Sequence, residues 1–188
     1  QGTSWTFKTG ARITVPPVIF SQWAIVASSD YRGYCVTVNG GAESWGFHAE
    51  APVLDTPAVF SHWPGQEFVF VISTKRDQGK VKRTLFAVRL RGTRNQPEGS
   101  EVWRAEGVRK VIALGRYLYV ISDAESTGAR DLVALDVTTG EEKFRLAVPT
   151  GFRFLPMNSA DHGRDVRERG KMYLVALDGT VQAIRERN

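Results

Sequence analysis

ALDVTTGEEKF (Ala134–Phe144) is the stretch that decides the fold of this 188-residue chain. It predicts a strand, a tight turn and a second strand that carries an aromatic residue. Gly140 suits the turn, because glycine adopts a positive φ without steric cost. Weaker copies of the same unit recur along the chain, which indicates a tandem repeat of one small β unit.

The aromatic residues that close these units define the length of the repeat. They are Trp5, Trp45, Trp103 and Phe144. The successive steps between them are 40, 58 and 41 residues, and a four-stranded propeller blade takes roughly 40–45 residues. Two polar insertions, Lys75–Lys82 and Arg91–Ser100, are predicted as loops and account for the long middle step.

Each unit has the same order of elements before its aromatic strand. A short apolar strand is followed by a β-branched and aromatic strand, a polar turn and a third strand. The second strands are predicted at Trp23–Ala27, Phe68–Ser73, Tyr117–Ser122 and Met172–Ala176. Their side chains pack well on a pleated surface, which favours strands over helices. We expect almost no helix, since the charged stretch Ala160–Lys171 contains two glycines that weaken a helical interpretation.

The predicted fold is all-β, a single β-propeller domain over residues 1–188 with about four blades of four antiparallel strands. The blades fall at about 11–47, 51–105, 108–146 and 150–188, the last one together with residues 4–7. Trp5-Thr6-Phe7 is a spare fourth strand, and the last blade lacks one. We therefore expect the N-terminal strand to complete the last blade or a neighbouring chain's blade, which would protect an open sheet edge.

The unit at Ala134–Phe144 resembles the pyrroloquinoline-quinone-like repeat of the quinoprotein alcohol dehydrogenase-like propellers. Asp178-Gly179-Thr180 is similar to the turn before that family's third strand, and the Trp-x-Phe pairs at Trp5 and Trp45 are similar to its fourth strand. The resemblance covers essentially the whole chain, although only one unit is close. In character the chain is nearest to the non-catalytic lipoproteins of outer-membrane assembly.

The resemblance implies a structural role for the closing aromatics. In the family this residue docks between neighbouring blades, where a flat ring buries a large apolar area. The predicted docking residues here are Trp5, Trp45, Trp103 and Phe144. Family members usually carry seven or eight blades, so three arrangements remain: a compact four-bladed ring, two chains forming an eight-bladed ring, or part of a longer propeller.

Residues for catalysis or for a cofactor are not evident in the sequence. The quinoprotein enzymes use adjacent cysteines and a calcium site, whereas Cys35 is the single cysteine here and is interpreted as a small buried hydrophobe. The histidines, His48, His62 and His162, form no short metal-binding pair. Aspartates in the predicted turns are assigned to backbone hydrogen bonding. We expect no cofactor, no metal and no catalytic residue; Asn158 and Asp161 would be inspected first for a ligand site.

Basic residues provide the candidate interaction surface. The formal net charge is +5, and such patches attract acidic proteins, anionic lipid or nucleic acid. The predicted contact elements are three insertions, Lys75–Arg83, Arg91–Ser100 and Asn158–Lys171. Their candidate contact residues are Lys75, Arg76, Lys80, Lys82, Arg83, Arg91, Arg94, Arg164 and Arg167. Solvated loop faces explain most such clusters, and nucleic acid is disfavoured because aromatic residues do not interleave with these cations.

These observations favour a non-catalytic propeller that recognises protein partners through loops on a rigid scaffold. The alternative is a fragment of a quinoprotein-like enzyme, a propeller that binds a quinone cofactor or another small ligand in its channel. The resemblance implies a periplasmic or extracellular location, in the cell envelope or as a sensor ectodomain. The chain begins at Gln1 and not at a methionine, so we expect either processing, such as removal of a secretory signal, or excision from a longer sequence. A homodimer that completes an eight-bladed ring is a further expectation, and no apolar run is long enough to cross a bilayer.

Overall fold

The computed structural model of the chain describes residues 4–61, 66–123, 130–149, 151–154 and 171–185. Throughout these residues the fold is all-β, with fifteen strands in four antiparallel sheets and without a helix. The predicted fold class, a β-propeller-like succession of antiparallel blades, is confirmed. The charged stretch considered for a short helix, residues 160–171, lies almost wholly outside the described residues.

Strands follow one another along the chain within every sheet, so each sheet is an up-and-down meander. The first sheet contains β1 (Val18–Phe20), β2 (Trp23–Ser28), β3 (Arg32–Thr37) and β4 (Glu43–His48). The second contains β5 (Ala58–Ser61), β6 (Glu67–Asp77), β7 (Lys80–Arg89) and β8 (Glu101–Glu106). The third contains β9 (Val108–Leu114), β10 (Leu118–Asp123), β11 (Arg130–Leu135) and β12 (Glu142–Ala147). The fourth contains β13 (Phe152–Phe154), β14 (Lys171–Ala176) and β15 (Val181–Arg185).

The pairing of third and fourth strands shows that the blades are true repeats. In the first three sheets the closing aromatic lies opposite a small residue, in the pairs Cys35–Trp45, Ala87–Trp103 and Ala134–Phe144. The register shifts directly after each of these pairs, at a β-bulge that recurs in all three sheets. A bulge bends a strand and increases its twist, so each of these three sheets is bent at the same point, next to its closing aromatic.

The chain forms two compact units, residues 1–106 and 107–188. The core of the first unit is formed by the apolar residues of its two sheets, including Ile25, Val71, Phe86 and Leu90, all 1% exposed or less. Strand β2 is buried along its whole length, which explains its nearly continuous apolar sequence. The predicted division into four blades and one domain stays a prediction for the chain as a whole.

The second unit has a smaller core and more open strands. Tyr119, Leu132 and Met172 are buried together, with Phe154 packed against them. All six residues of β12 are exposed, and Val181 and Ile184 of β15 are 62% and 40% exposed. The described part of the fourth sheet thus ends in a strand whose outer edge has no partner strand.

The N-terminal segment differs from the prediction. Residues 4–9 form no strand pairing, so Trp5-Thr6-Phe7 is not a β-strand in the structure. Trp5 and Phe7 instead pack on Val26, Tyr34 and Val36 of the first sheet, and Phe7 meets Tyr34 edge to face at 5.3 Å between ring centroids. The apolar side chains secure the segment, whereas a strand also needs a neighbouring backbone with which to pair.

Candidate interaction surface

A long two-stranded ribbon carries the first basic cluster. Strands β6 and β7 have 11 and 10 residues, and their pairing continues to Asp77 opposite Lys80. Gln78 and Gly79 form the turn, with φ of 46° and 78°, the left-handed values that a two-residue hairpin needs. The prediction of a loop at Lys75–Lys82 was wrong: the basic ribbon, Lys75–Arg83, is strand and turn.

The error has a physical reason. Polar residues dominate this stretch because both faces of the ribbon are exposed from Lys75 to Lys82. Without a buried face, the two-residue alternation that identifies a strand is missing. The antiparallel pairing of β6 and β7 continues without a break from their buried residues, the base of the ribbon, to the turn. The ribbon therefore extends a well-packed sheet into solvent.

Four of the ribbon's cations form no ion pair within the described residues. Lys75, Arg76, Lys80 and Lys82 have no carboxylate within ion-pair distance in that part of the chain. Lys75 lies directly opposite Lys82, and like charges opposite each other destabilise a sheet. The ribbon therefore keeps a charge arrangement that an anionic partner would stabilise.

The second predicted insertion, Arg91–Ser100, is an ordered loop. The Arg91 guanidinium stacks over the ring of Trp23 at 4.8 Å and lies 3.7 Å from a carboxylate oxygen of Glu67. Thr93 N donates to the Gln96 carbonyl oxygen at 2.7 Å, and Arg94 is exposed in this turn. Arg91 is thus committed to contacts within the chain. Arg164 and Arg167 lie outside the described residues.

Two of the predicted docking aromatics are held by the same kind of contact, a hydrogen bond to a backbone carbonyl oxygen and packing against a glycine. Trp45 Nε1 donates to the Leu90 carbonyl oxygen at 3.2 Å, and the indole lies against Gly99. Trp5 Nε1 donates to the Val38 carbonyl oxygen at 2.7 Å, and its indole lies against Gly41. Gly41 and Gly99 have φ of 65° and 72°, and a Cβ on either would collide with the indole.

The other two predicted docking residues contact their own sheets. Trp103 is 7% exposed and lies 5.9 Å from the ring of Phe70. Phe144 is 38% exposed and meets the rings of Tyr117 and Tyr119 at 5.9 and 6.2 Å. Docking of Trp103 and Phe144 on a following blade stays a prediction.

Cys35 is fully buried in β3, at the position that alanine occupies in the next two sheets. Burial, with a smaller contribution from the Glu98 carboxylate, raises the pKa of the thiol to about 12. We expect less than about a tenth of the thiol to react with Ellman's reagent at pH 8 in the native protein, and all of it in denaturant, because the thiolate is the nucleophile. Rapid labelling of native protein would contradict the buried placement.

Asp136 and Asp178 accept hydrogen bonds within their turns, as predicted. Asp136 Oδ1 accepts hydrogen bonds from Thr138 Oγ1 at 2.7 Å and from the backbone N–H groups of Thr138 and Thr139. The Thr138 bonds, acting against partial burial, lower the pKa of Asp136. Asp178 accepts from Thr180 N at 2.8 Å, and this bond lowers its pKa. Asp123 pairs with Arg109 at 2.7 Å.

Asp30 links the N-terminal segment to the first sheet. Its Oδ2 accepts from Gly10 N and from the Tyr34 hydroxyl, both at 2.7 Å. Burial opposes ionisation, but the bonds from Tyr34, Ser28 and the backbone outweigh it and lower the pKa of Asp30. A depressed folded-state pKa adds stability that is present above the unfolded pKa and lost as the pH falls through the folded one.

The substitution Asp30→Asn should therefore destabilise the protein by about 1 kcal/mol at pH 7, where the carboxylate is charged. The difference in unfolding free energy between the variant and the native protein should shrink as the pH falls below about 4, because the native carboxylate then becomes protonated and loses its charge. Urea unfolding at pH 7 and pH 3 measures both values. An equal loss at the two pH values would show that the charge of Asp30 is not what stabilises the fold.

Potential metal ligands do not cluster in the described residues. They contain no group of three histidine, cysteine or acidic residues placed to hold a metal ion. His48 is exposed on β4. His62, His162, Asn158 and Asp161 fall outside the described residues. No helix of the described part is long and apolar enough to span a bilayer.

A cleft at the base of the basic ribbon was missed by sequence reasoning. It has a volume of about 360 Å³ and is lined by Tyr31, Glu50, Leu54, Thr74, Lys75 and Arg76 with two neighbouring residues. Its residues come from a turn, a connection and a strand that are far apart in sequence. The one local signal was an aromatic, Tyr31, in a turn whose other residues are small or polar.

Comparison with known proteins places the fold but not a family. No protein-family model matches the sequence, and neither does any curated protein. The structure is similar to BamB from Moraxella catarrhalis, with a TM-score of 0.56 and 15% identity over 97% of this chain and 56% of that one. It is also similar to the computationally designed Ika4 protein, with a TM-score of 0.56 and 13% identity over 98% of both chains. The chain thus spans about half the length of the BamB structure.

Proposed function

We propose that this chain is a non-catalytic propeller scaffold that recognises a protein partner through its basic ribbon. The observation that carries the proposal is the ribbon itself, which extends from a packed sheet and holds four cations without a carboxylate partner in the described residues. Binding elements are commonly carried on such rigid scaffolds. The fold likeness to BamB and the sequence resemblance to non-catalytic propellers support the same function, with an envelope, periplasmic or extracellular location.

The test is a ribbon-shortened variant. Thr74 and Arg83 are directly paired, so replacing residues 75–82 with Asn-Gly should close the hairpin in a two-residue turn. Native and shortened chains would be used to capture proteins from native envelope extract. A partner held by the native chain and lost with the shortened one, at equal folding by circular dichroism, supports the proposal. Retention of every partner by the shortened chain contradicts it.

The alternative function, binding of a quinone or another small ligand, makes a different prediction. Titration with pyrroloquinoline quinone and calcium would quench tryptophan fluorescence saturably if the chain held the cofactor. We expect no saturable quenching, since the described residues contain no acidic cluster placed for calcium. Quenching with micromolar affinity would replace the scaffold proposal with a ligand-binding one.

Completion of the fourth sheet is the second part of the proposal. Ala183 lies opposite Tyr173, as Ala134 lies opposite Tyr119 in the third sheet. It therefore holds the position that faces a closing aromatic, and it is exposed. Trp5-Thr6-Phe7 has the required aromatic pattern, so we infer that it adds to the fourth sheet of a second copy in a homodimer. Light scattering should then give twice the monomer mass of 20.9 kDa, and a monomeric mass at all concentrations would exclude the dimer.

A further inference from the structure

The cleft at the base of the ribbon is a preformed feature of the first unit. The connection that forms its wall is hydrogen-bonded on both sides: Ala49 N donates to the Tyr31 carbonyl oxygen at 2.7 Å, and Thr74 N donates to the Pro52 carbonyl oxygen at 2.9 Å. Its volume of about 360 Å³ is in the range of ligand-binding clefts. A partner entering it would meet a surface that is already ordered.

The charge of the cleft is positive. Glu50 supplies the single carboxylate of the lining and is engaged by the guanidinium of Arg104. Lys75 and Arg76 have no carboxylate within ion-pair distance in the described residues, and both are exposed. Two cations therefore remain available for an anionic group, and Arg76 can hold a carboxylate with two parallel hydrogen bonds.

The same cleft exposes apolar surface. Tyr31 and Leu54 line it and are 44% and 37% exposed, which places them among the more exposed large apolar residues of the described chain. Tyr31 has a φ of 72°, a left-handed conformation that is uncommon for a bulky residue. Backbone strain of this kind concentrates at functional sites, where the surrounding structure maintains it. Here the hydrogen bond from Ala49 N fixes the strained residue.

Together these features define the chemistry of the occupant. We propose that the cleft binds an extended acidic peptide segment of a partner protein, with carboxylates at Lys75 and Arg76 and one apolar side chain between Tyr31 and Leu54. Lys80 and Lys82, farther along the ribbon, attract further acidic residues of the same segment. The inference rests on the proposed function, because it names the partner chemistry that the ribbon recognises.

A direct binding experiment tests the inference. The probe is a fluorescein-labelled decapeptide of nine glutamates and aspartates with one central phenylalanine, and binding is followed by fluorescence anisotropy. The paired variant Lys75→Gln/Arg76→Gln should weaken binding about tenfold, since charge-assisted hydrogen bonds are the stronger kind. The matched control, Lys8→Gln/Lys110→Gln, removes the same charge from exposed residues outside the cleft and should change binding less than about threefold. Leu54→Ser should weaken the phenylalanine peptide but not its serine counterpart.

Two results would overturn the inference. Equal weakening by both double variants would mean attraction by net charge alone. Tighter binding of a ten-nucleotide single strand than of the peptide would mean a site for a nucleic acid backbone. If the ribbon-shortened chain loses a captured partner while Lys75→Gln/Arg76→Gln retains it, the acidic-peptide inference fails and the scaffold function stands. If the shortened chain loses no partner, the scaffold function itself fails.

Discussion

Replacement of Trp45 by alanine should lower the free energy of unfolding by about 3–5 kcal/mol, as expected for a buried tryptophan. The indole is 8% exposed and belongs to the core of the first unit. It reaches from β4 in the first sheet to the carbonyl oxygen of Leu90, the residue directly after β7 of the second sheet. Its removal would leave a cavity between two sheets and an unsatisfied carbonyl. Guanidinium unfolding followed by circular dichroism measures the loss.

Three further variants separate the contributions to this effect. Trp45→Phe keeps an aromatic ring but removes the hydrogen bond, so it should cost less than alanine. Gly99→Ala should also destabilise, because the added Cβ would lie 2.9 Å from the indole at a φ of 72°. Trp5→Ala removes the equivalent anchor from a half-buried residue outside any strand and should cost about 1–2 kcal/mol. If Trp5→Ala costs more than Trp45→Ala, the inter-sheet role of Trp45 is wrong.

The recurring unit made the fold predictable from sequence, because it encodes both the strands and their order. The second strands were located within a few residues, since buried β-branched runs such as Trp23–Ser28 have few other structural solutions. The pairing of Ala134 with Phe144 follows from the short turn between them, since turn length sets the register of a hairpin. Features that depend only on contacts within one hairpin could therefore be predicted from the sequence.

Features that depend on contacts between residues far apart in the sequence could not be predicted in this way. The part of the ribbon at Lys75–Lys82 was predicted as a loop, because its strand pairing derives from the buried base of β6 and β7 and not from its own residues. Trp5-Thr6-Phe7 has a fourth-strand sequence, but a strand requires a partner backbone that the first sheet does not offer. The cleft combines Tyr31, Leu54 and Arg76, and only the packing of the first unit brings them together.

Phe86→Ala is the second substitution with a large expected effect, a loss of about 3–5 kcal/mol. Phe86 is 1% exposed in β7, and its ring lies 5.2 Å from that of Phe47 in the first sheet. The guanidinium of Arg104 stacks on it at 5.0 Å. Phe86→Leu removes fewer buried atoms and should cost about 1–2 kcal/mol. Urea unfolding of both variants checks the values, and equal losses would mean that the ring itself is not required.

The Phe47 and Phe86 pair also tests whether the base of the ribbon depends on the neighbouring sheet. A double-mutant cycle with alanine at both positions should give a coupling of about 0.5–1.5 kcal/mol, the contribution of an aromatic pair beyond its buried area. Phe86 lies in the buried part of β7, close to the ribbon. Phe86→Ala should therefore also speed amide hydrogen exchange along β6 and β7. If the two losses of unfolding free energy are additive and amide exchange is unchanged, the two sheets are stabilised independently. The ribbon is then oriented by the second sheet alone.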